Sequence, residues 1–383
     1  MRIGIDLRAL TAGKHTGVEE YTRGLLRSLF ELDRENEYIL FWNAWREVDL
    51  DLGWALTYPN VSVRRFHFPN KLLNLSLWYL QFPKLDRLIG GVDVFFMPNL
   101  NFAAFSRGVK VIVTAHDLSF EYFPETFSWK HRVWHYLINF RALLRRADVV
   151  LSVSHSTADD LVRVYGLPRE KIHVIMSGVD ERFIPVSRND PRLFAVKEKY
   201  RLPYHFILYL GTIEPRKNIE ALLSAYEVFQ KTSLGEGLRY ELVLAGSSGW
   251  KNEELLEKIE HSPVREKIHL IGFVDDADKP ALYNLASVFV YPSLYEGFGF
   301  PPLEALSCGV PTIVSHSSSL PEVVGEAGIL IDPYRPDEIL QAIRQLLQGK
   351  SLQEELRRQA ALRKRYFNWF QAAQGFLDVL RGA

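Results

Sequence analysis

Residues 287–315 read SVFVYPSLYEGFGFPPLEALSCGVPTIVS: a short apolar run, a loop rich in glycine and proline, a helix-compatible stretch, and a second apolar run. Such runs, β-branched and aromatic without polar alternation, suit strands buried on both faces, as in a parallel sheet covered by helices. The core of the loop is EGFGFPPLE, residues 296–304. Pro301 or Pro302 is pre-set for the first turn of a helix running to about Cys308. Gly297 and Gly299 let the backbone approach a ligand closely. A helix begun there aims free N–H groups and its dipole beyond the strand's carboxyl end. Glu296 precedes that helix and Glu304 lies in its first turns, so the segment either shapes a turn or holds a ligand.

The same alternation runs through the chain. Candidate strands are RIGIDL, EYILFW, VSVRRF, VDVFFM, KVIVTA and DVVLSV in the first half, then HFILYLG, YELVLAG, KIHLIG, SVFVYP, PTIVS and GILI in the second. Helical patterns lie between them, as at 217–230, 251–261 and 336–348. The series pauses over 181–200, a polar stretch broken by Pro185 and Pro191 that reads as a linker. With 383 residues, too many for one ordinary core, the expectation is two Rossmann-like α/β domains, residues 1–185 and 195–365, facing a central cleft. Open sheets of this kind bind ligands beyond the carboxyl ends of their strands.

Lysines and arginines number 46, as do the carboxylates, so overall charge gives no reason to expect a nucleic-acid partner. Cys308 is the single cysteine, which excludes an internal disulfide and suits a reducing cytoplasm. MRIGIDLRAL carries charges inside its apolar stretch and reads as a first strand, not a signal peptide. No apolar run approaches the roughly 18 residues of a membrane span.

Three strand ends carry chemistry. After HFILYLG, the strand stops at Gly211, Pro215 breaks the backbone, and Arg216 and Lys217 enter a helix. Cations sit poorly at a helix start unless an anion faces them. After KIHLIG, the loop holding Val274, Asp276, Asp278 and Lys279 either caps a helix through Asp276 or Asp278, or contacts a base. After KVIVTA, His116 faces either a cleft or the core.

Taken together, EPRKN (214–218) and EGFGFPPLE resemble the retaining glycosyltransferases of family 4, which have the GT-B fold. SVSHSTADDLVRVYGLPREKIHVIMSGVD, LVLAGSSGW, HLIGFVDDADKPALYNLA and LPEVVGEAGILIDP resemble that family in the same order, most strongly over 150–335. The resemblance implies transfer of a hexose from a nucleotide-sugar to a saccharide or lipid-linked acceptor, with retention and by a front-face route. It implies that Arg216 and Lys217 stabilise the leaving diphosphate, and that Glu304 holds the ribose. Glu296 would hold donor-sugar hydroxyls, helped by the backbone of Gly297, Phe298, Gly299 and Phe300, with His116 facing the sugar from the other domain. Gly211 and Gly17 are donor-side residues by the same likeness, although HTGVEEY departs from a full glycine cradle after Gly13. Val274, Asp276 and Lys279 resemble a base-contacting loop of GDP-mannose-using relatives, which favours mannose from GDP-mannose over UDP-linked sugars. A C-terminal helix, about 366–383, would cross back onto the first domain. No metal or other cofactor is implied. A nucleotide-sugar epimerase and a catalytically silent donor-binding protein on the same fold are the competing readings.

Other signals carry less. His131 and His135 lie one turn apart on a helical pattern, but HRVWH lacks the glutamate of HExxH. Asp49-Leu50-Asp51 forms a D-x-D in a polar stretch. Ser154 and its neighbours read as helix caps, and Cys308 as a packing residue. GIDLRALTAG lacks the spacing of a dinucleotide fingerprint. Val133, Leu137, Phe140 and Leu144 form one apolar stripe, and KLLNLSLWYLQFPKLDRL (71–88) is aromatic and basic. Both are expected either as core or as peripheral contacts with the inner face of the cell membrane.

Overall fold

The computed structural model describes residues 1–12, 16–45, 52–231 and 240–382. The chain divides into two compact units. The first takes Met1–Leu118, Trp129–Gly178 and Asn368–Ala383. Its sheet holds β1 (Arg2–Asp6), β2 (Glu37–Asn43), β3 (Val61–Phe66), β4 (Val94–Met97), β5 (Lys110–Ala115), β6 (Val149–Ser152) and β7 (Ile172–Val174). The order is β3-β2-β1-β4-β5-β6-β7, with every pair parallel. The order reverses between β1 and β4, the doubly wound pattern. Ile3, Ile5, Phe95, Phe96, Ile112 and Val113 are fully buried, as strands covered on both faces require.

The helix Gly17–Leu32 starts where the Thr16 hydroxyl accepts the Glu19 N–H, and buries Tyr21, Leu25 and Leu29. The C-terminal helix, Trp369–Gly382, packs along it and belongs to this first unit, as expected. Gly24 makes the approach possible: a Cβ there would stand 2.2 Å from the Trp369 ring. At Gly178 a Cβ would stand 2.3 Å from the Trp369 backbone nitrogen. Phe376, inaccessible to solvent, packs its ring 4.6 Å from that of Phe96.

The second unit takes Ser119–Ser128 and Val179–Phe367. Its sheet holds β8 (His205–Leu210), β9 (Tyr240–Ala245), β10 (Ile268–Gly272), β11 (Val288–Tyr291), β12 (Thr312–Ser315) and β13 (Gly328–Ile331). All pairs are parallel, in the order β10-β9-β8-β11-β12-β13. The switch falls between β8 and β11, so the loops after these two strands emerge side by side.

All twelve expected strands form; β7 is additional, a three-residue edge strand too short to read as a run. Two helical readings change. The stripe through Val133 and Leu144 is not continuous, because Asn139 adopts φ 50° and separates helix Trp129–Ile138 from helix Phe140–Arg146. Val133 faces solvent while Phe140 and Leu144 are buried. The polar stretch 181–200 contains a helix, Pro191–Lys199, capped by the Asp190 carboxylate with proline in its first turn.

Candidate functional site

The loops after β8 and β11 build one buried cluster of charge. Pro215–Lys217 forms a single 3-10 turn, and the Leu294 N–H donates to the Arg216 carbonyl at 2.9 Å, joining the two loops. Lys217 Nζ lies 2.5 Å from Glu296 Oε1 and donates to the Tyr291 hydroxyl at 2.9 Å. The Arg216 guanidinium lies 3.2 Å from Glu296 Oε2, donates to Glu214 Oε1 at 2.7 Å, and also donates to the Tyr295 carbonyl. Ser293 Oγ donates to Glu296 Oε1 at 2.6 Å. Glu214, Lys217 and Glu296 are each less than a tenth exposed.

The backbone is fixed as firmly. The Glu296 N–H donates to Ser318 Oγ at 2.8 Å, and Ser319 Oγ donates to the carbonyls of Glu296 and Phe298 at 2.9 and 2.7 Å. Burial alone would raise the Glu296 pKa; the Lys217 and Arg216 charges outweigh it and hold the carboxyl at about 2. The anions expected opposite Arg216 and Lys217 are thus partly the protein's own, Glu214 and Glu296.

The helix Phe300–Ser307 begins with Pro301 and Pro302 in its first turn, as the sequence indicates. Gly299 at its cap has φ 112°, and a Cβ there would stand 2.9 Å from Leu320 Cδ2, so the position demands glycine on both counts. Glu304 sits in the second turn, buried, and receives a 2.7 Å hydrogen bond from the Tyr283 hydroxyl on helix Lys279–Leu285. Burial raises its pKa, with the Lys279 charge and the Tyr283 bond pulling the other way. A carboxyl whose folded pKa is raised stabilises the fold at pH below its unfolded value and loses that contribution as pH rises. At neutral pH the Glu304 charge therefore costs stability. Glu304→Gln should melt higher than the native protein at pH 7 and bind nucleotide more weakly. Unchanged nucleotide affinity would remove Glu304 from the ribose.

The loop between β10 and the following helix is held by cations from outside it. Asp276 pairs with Arg182 at 2.5 Å and with Lys279 at 2.8 Å, and these charges keep its pKa low against the opposing effect of burial. Asp278 occupies the cap position without making a capping bond; its carboxylate instead takes Lys199 Nζ at 2.6 Å and the Tyr200 hydroxyl at 2.9 Å. Neither aspartate caps the helix, because a cation or a phenol reaches each carboxylate. Val274 is buried. Gly211 closes against β9, its N–H 3.0 Å from the Ala245 carbonyl, and its own carbonyl lies 1.9 Å from where a Gly246 Cβ would be.

In the first unit, His116 follows β5. Its Nε2 lies 2.7 Å from the Pro98 carbonyl, so that nitrogen carries the proton, and the Tyr21 ring meets the imidazole edge-on at 4.9 Å. Burial lowers its pKa, leaving a neutral imidazole at physiological pH. Gly17 opens the helix behind Thr16 and is exposed. Gly13, Asp49 and Asp51 lie outside the described residues, as do the side chains of His131 and His135. Among the described residues no group of three or more His, Cys, Asp or Glu side chains could hold a metal ion. Ser154 does cap helix His155–Tyr165, and Cys308 is buried.

Four residues of this constellation were not singled out from sequence: Glu214, Ser293, Tyr283 and Arg182. Glu214 and Ser293 carry a readable signal, standing two and three positions from Arg216 and Glu296. Tyr283 and Arg182 reach their partners only through tertiary packing.

Both halves of the chain match known protein families. Residues 15–183 match the family model described as Glycosyltransferase Family 4, and residues 194–363 the one described as Glycosyl transferases group 1. O-antigen chain mannosyltransferase B of Escherichia coli is 37% identical over 70% of this chain and 69% of its own length. Serotype-specific mannosyltransferase WbdA of Escherichia coli is 34% identical over 72% of this chain, which spans only 34% of that protein. Among solved structures, HepE of Anabaena in complex with UDP and glucose aligns over 100% of both chains with a TM-score of 0.71 at 18% identity, a likeness of fold. The class is therefore a sugar-transferring enzyme built from two Rossmann-like units. The chain belongs to the GT-B-fold glycosyltransferases whose two halves those family models describe.

Proposed function

We propose that the chain is a retaining hexosyltransferase whose second unit binds the nucleotide-sugar, and that the Arg216–Lys217–Glu296 cluster carries the transfer. Lys217 spends two of its three N–H bonds on Glu296 and Tyr291, and the third is available to an incoming phosphate. Arg216 and Lys217 then offset charge developing on the departing diphosphate in a site largely shielded from water. Glu296, ionised at neutral pH, accepts from donor-sugar hydroxyls, and Glu304, oriented by Tyr283, accepts from the ribose diol. The buried, cation-bound state of Glu296 supports a sugar-holding role over a nucleophilic one, in keeping with a front-face route in which the leaving phosphate deprotonates the acceptor. His116, neutral and with Nε2 committed to a carbonyl, has its other nitrogen to accept from the sugar. In this reading residues 1–185 with the C-terminal helix supply the acceptor side, and residues 195–365 the donor side. The single, buried Cys308 fits a reducing cytoplasm.

Mannose as the transferred sugar is supported by the names of the relatives at 34–37% identity. A UDP-sugar is the second reading for the donor, supported by the HepE complex and by Asp276. Guanine needs a carboxylate-like acceptor for its ring N–H and amino group, yet Asp276 already serves Arg182 and Lys279. Calorimetric titration with GDP-mannose, UDP-glucose and UDP-galactose, followed by product analysis with saccharide acceptors, tests both. Preference for GDP-mannose by about tenfold or more supports the first, and the reverse order the second. Indifference to every donor overturns the function.

A further inference from the structure

Within residues 68–82 the first unit holds large apolar side chains out in solvent. Leu72, Leu75, Tyr79, Leu80 and Phe82 are each more than half exposed, Tyr79 by 76%. This is not a loose end of chain. Leu73 and Leu77, on the opposite side of the same segment, are 5% and 0% exposed and anchor it. The helix Asn70–Leu75 runs into a wider π turn, Ser76–Leu80, closed by Gln81 at φ 52°. The Gln81 amide donates to the Leu77 carbonyl at 2.9 Å, and Ser76 Oγ donates to the Phe82 carbonyl at 2.5 Å. The segment is thus apolar on both faces, with the outer face built as firmly as the inner. Exposed apolar residues are ordinarily scattered; a contiguous set marks a surface that meets something.

Charge says what it meets. From Leu52 to Leu85 there is no aspartate or glutamate, while Arg64, Arg65, Lys71 and Lys84 fall in that span. Arg64, Arg65 and Lys71 are exposed, and none of the four pairs with a described carboxylate. Arg64 and Arg65 also border a cavity of about 440 Å³ beside β3, the edge strand from which the segment departs. Apolar residues with an amphipathic Trp78–Tyr79 pair, flanked by cations that pair with no described carboxylate, fit the headgroup boundary of an anionic bilayer. A second copy of the chain fits poorly, since a two-fold contact through this patch would set the same cations against one another.

We propose that residues 68–82, with Arg64, Arg65 and Lys71, dock the protein on an anionic lipid surface. The apolar side chains enter the headgroup boundary and the cations meet lipid phosphates; nothing crosses the bilayer, and among the described residues no helix is long and apolar enough to do so. This surface is independent of which donor the second unit binds. The test is co-sedimentation of the full chain with phosphatidylcholine vesicles, with and without phosphatidylglycerol, at low and high salt. The native protein should partition onto the anionic vesicles and lose that binding in high salt. Leu72→Ser with Leu80→Ser, and separately Arg64→Glu with Lys71→Glu, should each weaken partition by about tenfold or more, with the melting temperature kept as a check on folding. Native protein that ignores anionic vesicles overturns the proposal, as does folded double-variant protein that binds them equally well. A dimer in solution that dissociates in the Leu72→Ser, Leu80→Ser variant, without vesicle binding by the native chain, assigns the patch to a second copy instead.

Discussion

Replacing Lys217 by methionine should lower sugar transfer by about 10²–10³-fold while the protein still folds. Methionine keeps an unbranched side chain and removes the ammonium, which lies 2.5 Å from Glu296 and 5.3 Å from the centre of the Tyr291 ring. Two readouts separate catalysis from architecture. If Lys217 acts on the leaving diphosphate, the loss appears in kcat, and its size follows the chemical step. The second readout is stability against pH. Glu296 is held at about 2 because Lys217 and Arg216 outweigh its burial. Its folded pKa is depressed, so its stabilising contribution is present above the unfolded carboxylate value and is lost as pH falls toward 2. Without Lys217 that pKa rises and the contribution shrinks. The stability gap between native and variant protein should be widest at neutral pH and close on acidification. A Lys217→Met variant with activity within about threefold of native would remove Lys217 from the reaction.

Gly24→Ala should destabilise the protein in the native background and stabilise it once Trp369 is removed. Alanine is the better helix former by about 1 kcal/mol, yet a Cβ at position 24 would stand 2.2 Å from the Trp369 ring. Relief requires the indole or the helix to shift, at about 1–3 kcal/mol for overpacking. In Trp369→Ala the ring is gone and the intrinsic preference should show itself. Denaturation of the four proteins of this cycle should give a coupling equal to that overpacking cost, about 1–3 kcal/mol. Additive effects would mean that Trp369 does not occupy the groove that Gly24 opens.

The sheets were legible because buried parallel strands are written as unbroken apolar runs, and every such run became a strand. β7 escaped because Ile172–Val174 is too short to carry a run. The helix Pro191–Lys199 was hidden by its polarity, although Asp190 followed by Pro191 is a helix start in its own right. Around the candidate site, the bracket of Glu296 and Glu304 about a glycine-capped helix could be read directly, since the glycines and prolines fix the backbone locally. What each carboxylate meets could not. Glu296 takes its cations from 79 and 80 residues earlier in the chain, and Glu304 takes its hydroxyl from Tyr283 on a neighbouring helix. The same holds for Asp276, whose partner Arg182 is 94 residues distant. Local pattern sets the positions of these side chains, and packing decides their partners.

The placement of helix Trp369–Gly382 in the first unit bears on how the protein is made. The ribosome delivers β1 to β7 and then residues 179–367, the bulk of the second unit, before helix Trp369–Gly382 emerges. At ordinary elongation rates the wait is roughly 10–40 s. Through that interval Phe96 and the face of helix Gly17–Leu32 stand uncovered, while the second unit has all of its own strands to hand. The half synthesised first is the half completed last, and a chain stalled before Trp369 would present a finished second unit beside a first that cannot close.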